Sequence, residues 1–95
     1  MDPTELLSNR TWGEQIAKKA RREHPYDFYD VDDQQLADII DGTILNPDDS
    51  KALKRGRTAY WNDEEGIIVI IHPNNPDGGT AFRPDDGKDY FDRLK

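Results

Sequence analysis

Five consecutive β-branched residues, Ile67-Ile68-Val69-Ile70-Ile71, constrain this chain more than any other feature. An apolar run without polar alternation predicts a strand covered on both faces, the middle of a sheet with material packed above and below. It is far too short to span a bilayer. Only 34% of the residues are hydrophobic and 35% are charged, so the cover must come from a few short segments and the core must be compact. Ninety-five residues make one domain, residues 1–95, near the lower limit at which a single core holds a fold. The absence of cysteine rules out disulfides and thiolate-ligated zinc, and the chain suits a reducing compartment. The start, Met1-Asp2-Pro3-Thr4-Glu5, lacks the basic and apolar regions of a signal peptide. Passage of this domain across a membrane would therefore depend on another segment.

The segments flanking the run read as follows. Thr11-Trp12-Gly13-Glu14 has the form of a capping box, with Trp12, Ile16, Ala17 and Ala20 following at helical spacing. Pro25 disfavours helical geometry at His24, so the first helix is expected over residues 11–23. Asp32 caps a second helix whose buried face is Leu36, Ile39 and Ile40, with Gly42 as its stop. Residues 43–54 are ambiguous, apart from a turn at Asn46-Pro47-Asp48 and room for a short helical piece after it. Arg57–Asn62 and Ile67–His72 read as a hairpin around Asp63-Glu64-Glu65-Gly66, and Thr80–Arg83 as a further strand. Residues 73–79 form a loop, and Tyr90, Phe91 and Leu94 pack a short C-terminal helix or turn. The fold class is α+β: N-terminal helices followed by a curled antiparallel β-sheet.

A net charge of −7 opposes non-specific nucleic-acid binding through phosphate repulsion. The charges are segregated, however. Lys18, Lys19, Arg21 and Arg22 form one basic cluster, and Lys51, Lys54, Arg55 and Arg57 a second; the acids concentrate in residues 27–41, 63–65 and 85–92. This pattern fits a local cationic site on an acidic body, and equally two solvated basic faces. Asp30-Val31-Asp32-Asp33 lacks the spacing and the glycine of a calcium loop. No metal or cofactor is expected.

Pairing of Trp61 with Gly66 or Ile67 would set residue sums of 127 or 128 in the hairpin and put His72 opposite Arg55 or Gly56, beside Arg57. Thr80 must then begin its strand at the same end. Arg55, Arg57, His72 and Thr80 thus gather at one end of the sheet. Phosphodiester cleavage without metal needs a base for the 2′-hydroxyl, an acid for the leaving oxygen and cations for the phosphorane charge. Histidine supplies the acid or base, arginine a planar fork for phosphate, and threonine a hydroxyl for a phosphate oxygen. His24 and His72 each precede a proline at the end of an element. Each residue also has a plain reading: His24 as a helix cap, His72 as a solvated strand end, Thr80 as a β-former, Tyr60 and Trp61 as sheet packing.

Gly56-Arg57-Thr58-Ala59-Tyr60-Trp61, Pro76-Asp77-Gly78-Gly79-Thr80-Ala81-Phe82-Arg83-Pro84 and Tyr90-Phe91 together resemble a pattern at the C-termini of bacterial polymorphic toxins, including contact-dependent growth inhibition effectors. The likeness covers about residues 55–94. The layout of two helices and an antiparallel sheet is similar to the superfamily that joins barnase, EndoU, the colicin D type and RelE. The resemblance implies a metal-independent endoribonuclease acting on RNA, with tRNA as the expected substrate. It implies His24, Arg57, Tyr60 and Thr80 as catalytic candidates, and the hairpin reading adds His72. Lys18, Arg21, Arg22, Lys54, Arg55 and Arg83, with Trp61 as a stacking ring, are the substrate-binding candidates. It further implies a cognate immunity protein and delivery as the tail of a larger secreted or surface protein into a target-cell cytoplasm, with a host protein as a candidate activator. The acidic charge departs from the basic character usual in ribonucleases and fits a shape-matched substrate better than RNA at large. A small acidic immunity or inhibitor protein is the rival reading, and a non-catalytic binding module using the Tyr60/Trp61 strand is another.

Overall fold

The computed structural model describes residues 3–72 and 79–95, with side chains from residue 13 onward. The order is α1 (Pro3–Glu23), α2 (Asp33–Leu45), β1 (Asp49–Ala52), a 3₁₀ turn (Lys54–Gly56), β2 (Thr58–Asn62), β3 (Ile67–Ile71), β4 (Thr80–Phe82) and α3 (Lys88–Arg93). The strands form an open antiparallel sheet in the order β1-β2-β3-β4, so each strand pairs with its neighbour in the chain. This is the α+β class expected.

All five residues of β3 are buried, and each face of the strand has its own cover. Ile67, Val69 and Ile71 pack with Ile16, Ala17 and Ala20 of α1 and with Leu36, Ala37 and Ile40 of α2. Ile68 and Ile70 pack on the other side with Ala59, Trp61, Leu53 and Phe91 of α3. The sheet is the middle of three layers.

The first helix starts eight residues earlier than the capping box predicts. Pro3 stands at the first helical position, where its fixed φ and missing N–H cost nothing. With the preceding residues already helical, the Thr11 N-cap signal has no chain end to act on. Gly13 is buried inside the helix: a Cβ there would lie 2.3 Å from Asp41 Oδ1, so α1 and α2 approach closely at that point.

Asp32 does cap α2, with the reciprocal Gln35 bonds of a capping box. Gly42 does not stop this helix, which runs on to Leu45. The extra turn is held because Thr43 is buried, donating to Ile39 O at 2.7 Å and accepting from Asn62 Nδ2 at 3.0 Å. Asn46, followed by Pro47, closes the helix by donating its backbone N–H to Gly42 O.

The hairpin register is Trp61 with Ile68 and Thr58 with Ile71, a residue sum of 129 rather than 127 or 128. The turn takes all four residues Asp63 to Gly66. Gly66, at φ +64, closes it by donating to Asn62 O, and Glu65 N donates to Asn62 Oδ1. Only a residue tolerant of left-handed geometry sits there at low cost. The expected strands shorten by one residue each at Arg57, His72 and Arg83. The first edge strand, β1, lies in the stretch left ambiguous by sequence.

Basic side chains hold the irregular segments. Arg21 donates to Phe28 O, Val31 O and Asp33 Oδ1. Arg83 donates from its side chain to Asp27 O, Asp30, Glu65 O and Glu65 Oε1 and lies 5.2 Å from the ring centroid of the fully buried Phe28. Together they clamp the loop between α1 and α2, where carbonyls without helix or sheet partners need donors. The hydrogen bond from Arg83 holds the Asp30 carboxyl below its ordinary value of 3.8. A depressed carboxyl contributes stability above its unfolded value and loses it as pH falls through the lowered folded value. Carboxyl NMR titration of Asp30 is expected to give a midpoint below 3.8, returning toward it in Arg83→Met, which should also melt about 5 °C or more lower.

Candidate active site

His24 follows the last residue of α1, where its N–H still donates to Ala20 O. Its ring lies 5.5 Å from that of Phe82 on β4, and Phe82 in turn meets Tyr90 of α3 edge-on at 5.4 Å. These contacts frame a cleft of about 260 Å³ lined by Lys19, Glu23, His24, Thr80, Phe82 and Tyr90. Thr80 Oγ1 stands 3.5 Å from Glu23 Oε1, across 57 positions of sequence. Two of the residues singled out by sequence, His24 and Thr80, are thus brought together by packing of the α1 end against the edge strand.

Thr80 pairs with Ile70, so β4 begins at the end where β3 finishes and β2 starts, as the connectivity requires. Carried one residue past the strand ends, the register sets His72 opposite Arg57. His72 Nδ1 is buried without a hydrogen-bond partner among the described residues. Arg57 is occupied elsewhere: its guanidinium donates to Lys54 O at 3.1 Å and Lys95 O at 3.3 Å, holding the C-terminal segment against the β2 end. Neither residue lines the His24 cleft.

The remaining candidates separate by what they touch. Tyr60 packs against the helix-side core, on the sheet face opposite to Thr80. Trp61 is buried against Phe91, and its indole N–H donates to Asp63. Arg21 and Arg83 are spent on the loop. Lys18 lies in a separate groove of about 160 Å³ between α1 and α2, with Glu14, Asp33 and Gln34. Arg22, Lys54 and Arg55 are exposed, Arg55 at the left-handed φ of 65°. Of the expected loop, residues 73–78 lie outside the described residues. Gly79, which ends it, is buried: a Cβ there would sit 3.1 Å from Ile16 Cγ1 and 3.2 Å from Ile70 O. This glycine lets α1 approach the start of β4.

Lys19, Glu23, Phe82 and Tyr90 line the cleft but are not among the catalytic or substrate-binding residues expected from sequence, although Lys19 belongs to the first basic cluster. Lys19 and Glu23 carry a helical signal, since they lie four residues apart and Glu23 adjoins His24. Tyr90 is expected from sequence to pack a short C-terminal helix or turn back onto the sheet, but its meeting with Phe82 beside His24 depends on where α3 settles. The cleft combines an imidazole, a carboxylate, an ammonium, a hydroxyl and two aromatic rings. That set can move protons and steady an anion. Among the described residues no group of three or more His, Asp and Glu side chains is placed to hold a metal ion, and no helix is long and apolar enough to cross a membrane. Neither the family models nor the curated proteins compared with the chain match it.

Proposed function

We propose that the domain is an endoribonuclease of the toxin class, cleaving RNA, with tRNA as the first substrate to test. The observation that carries the reading is the convergence of His24, Glu23, Lys19 and Thr80 in one cleft. In this mechanism Glu23 and His24 supply the acid–base pair. One takes the proton from the 2′-hydroxyl, the freed oxygen attacks phosphorus, and the other protonates the departing 5′-oxygen, leaving a 2′,3′-cyclic phosphate. Lys19 opposes the charge that develops on the phosphorane, and the Thr80 hydroxyl donates to one of its oxygens. Arg57 holds the C-terminal segment, and His72 lies at the sheet end outside the cleft, so neither takes part in this mechanism.

The acidic body restricts RNA to this local site, which favours a shape-matched substrate over RNA at large. Delivery as the tail of a larger protein and neutralisation by an immunity protein belong to the same proposal. That partner is expected to present carboxylates to Lys18, Lys19 and Arg22 and to cover the cleft. The rival, a small acidic inhibitor, draws on the net charge of −7 and on Tyr26 and Tyr29, both almost fully exposed.

Incubation of purified domain with total cellular RNA in EDTA separates the two. Discrete fragments ending in cyclic phosphate support the nuclease. Cleavage only after magnesium is added refutes the metal-free mechanism. No cleavage in either condition, even with cell extract supplying an activator, leaves the inhibitor reading.

A further inference from the structure

Tyr90 lines two cavities at once. One is the His24 cleft; the other, about 480 Å³, is lined by Tyr90, Arg93, Leu94 and Lys95. Tyr90 is 40% exposed, and its ring is braced from one side by Phe82. Cations stand in both directions from it, Lys19 in the first cavity and Arg93 and Lys95 in the second. Arg57 supports the second cavity from beneath by bonding Lys95 O. Arg93 is steadied by Asp86 at 2.8 Å and by Asp89 O.

We propose that Tyr90 is a base-stacking platform and that the second cavity is a subsite for the nucleotide next to the scissile phosphate, so that the ligand is a single strand. The inference rests on the nuclease reading for the position of the scissile phosphate. An aromatic face between flanking cations is the arrangement that tracks a single strand: each base offers a π-face and each phosphate a charge. A duplex keeps its bases stacked on one another and has none to give to Tyr90. The Asp86 carboxylate on Arg93 limits the attraction to a strand that also stacks.

A fluorescent 2′-O-methyl pentauridylate, which cannot be cleaved, is the probe, with a fully paired 2′-O-methyl G/C hairpin as its duplex counterpart. Binding by anisotropy should favour the single strand. Tyr90→Phe should bind within about twofold of the parent, whereas Tyr90→Leu and Tyr90→Ala should lose about 5- to 100-fold. Tyr26→Ala, a change at a solvated ring outside the cleft, should change nothing. Tyr90→Leu preserves apolar cover over Phe82, so a folded variant remains if Tyr90→Ala unfolds. Full affinity in folded Tyr90→Leu, or equal affinity for the duplex, overturns the proposal. Probe binding that depends on Tyr90 in a protein that cleaves no RNA keeps the subsite and sinks the nuclease. Cleavage that is indifferent to Tyr90 does the reverse.

Discussion

If the domain is the proposed nuclease, replacing His24 by alanine is expected to lower RNA cleavage by about 10²–10⁴-fold, the usual worth of general acid–base assistance. The unfolding midpoint should move little. The imidazole is only half-buried, its ring meets Phe82 at 5.5 Å, and the α1 end is bonded through the His24 backbone rather than the side chain. Glu23→Gln should produce a comparable loss, since an amide cannot exchange the proton. His72→Ala is the discriminating control, because His72 is half-buried at the sheet end and does not line the cleft. Retained activity there places the chemistry at His24. Loss at His72 with full activity in His24→Ala transfers the chemistry to the β2–β3 end and removes the cleft from the mechanism.

Phe28→Ala should be the most destabilising single change outside the sheet. Phe28 is wholly buried in the helix–sheet core, although it belongs to a loop. Truncating such a ring costs about 3–5 kcal/mol, against a total of about 5–14 kcal/mol for a domain of this length. The loop would lose the side chain that fixes it, and the Arg83 guanidinium would lose the ring beneath it. Urea unfolding should show a lower midpoint with a nearly unchanged slope. Phe28→Leu, which keeps most of the volume, should recover most of the difference. An Ala variant with the parent's midpoint would mean that the core does not depend on this anchor.

The parts of the fold that were legible are those in which local chemistry and tertiary demand agree. Ile67–Ile71 declares a central strand because nothing else in so polar a chain can pay for two covered faces. Asp32 with Gln35 declares a helix start because the capping bonds are made within four residues. β1, Asp49–Ala52, had no such signal: Asp-Ser-Lys-Ala carries no apolar alternation, and it is a strand because β2 offers it backbone partners. Register was missed for a related reason. The sequence marks a turn at Asp63–Gly66, but whether Gly66 lies in the turn or in the strand is decided by the Asn62 bonds.

The candidate cleft was half legible. Histidine and threonine attract attention by their chemistry, yet their meeting depends on α1 reaching an edge strand more than fifty residues further along. Charge was the poorest guide. Arg21 and Arg83 looked available for a ligand, and both are used to satisfy carbonyls and carboxylates of one loop. A basic residue's partner is a property of the folded chain, and composition carries no trace of it.

The sheet's sequential order has a kinetic consequence. β2, β3 and β4 each pair with the strand just made, so most of the sheet can assemble through short loop closures. The contact between α1 and β4 is different, because it joins the first element to the last strand. His24 waits for Thr80. On the proposed reading, a chain emerging from a ribosome, or threaded unfolded through a pore, would carry the residues of the cleft and yet have no assembled cleft until its final strand docks. Latency of that kind needs no inhibitor: it is built into the order in which the pieces arrive.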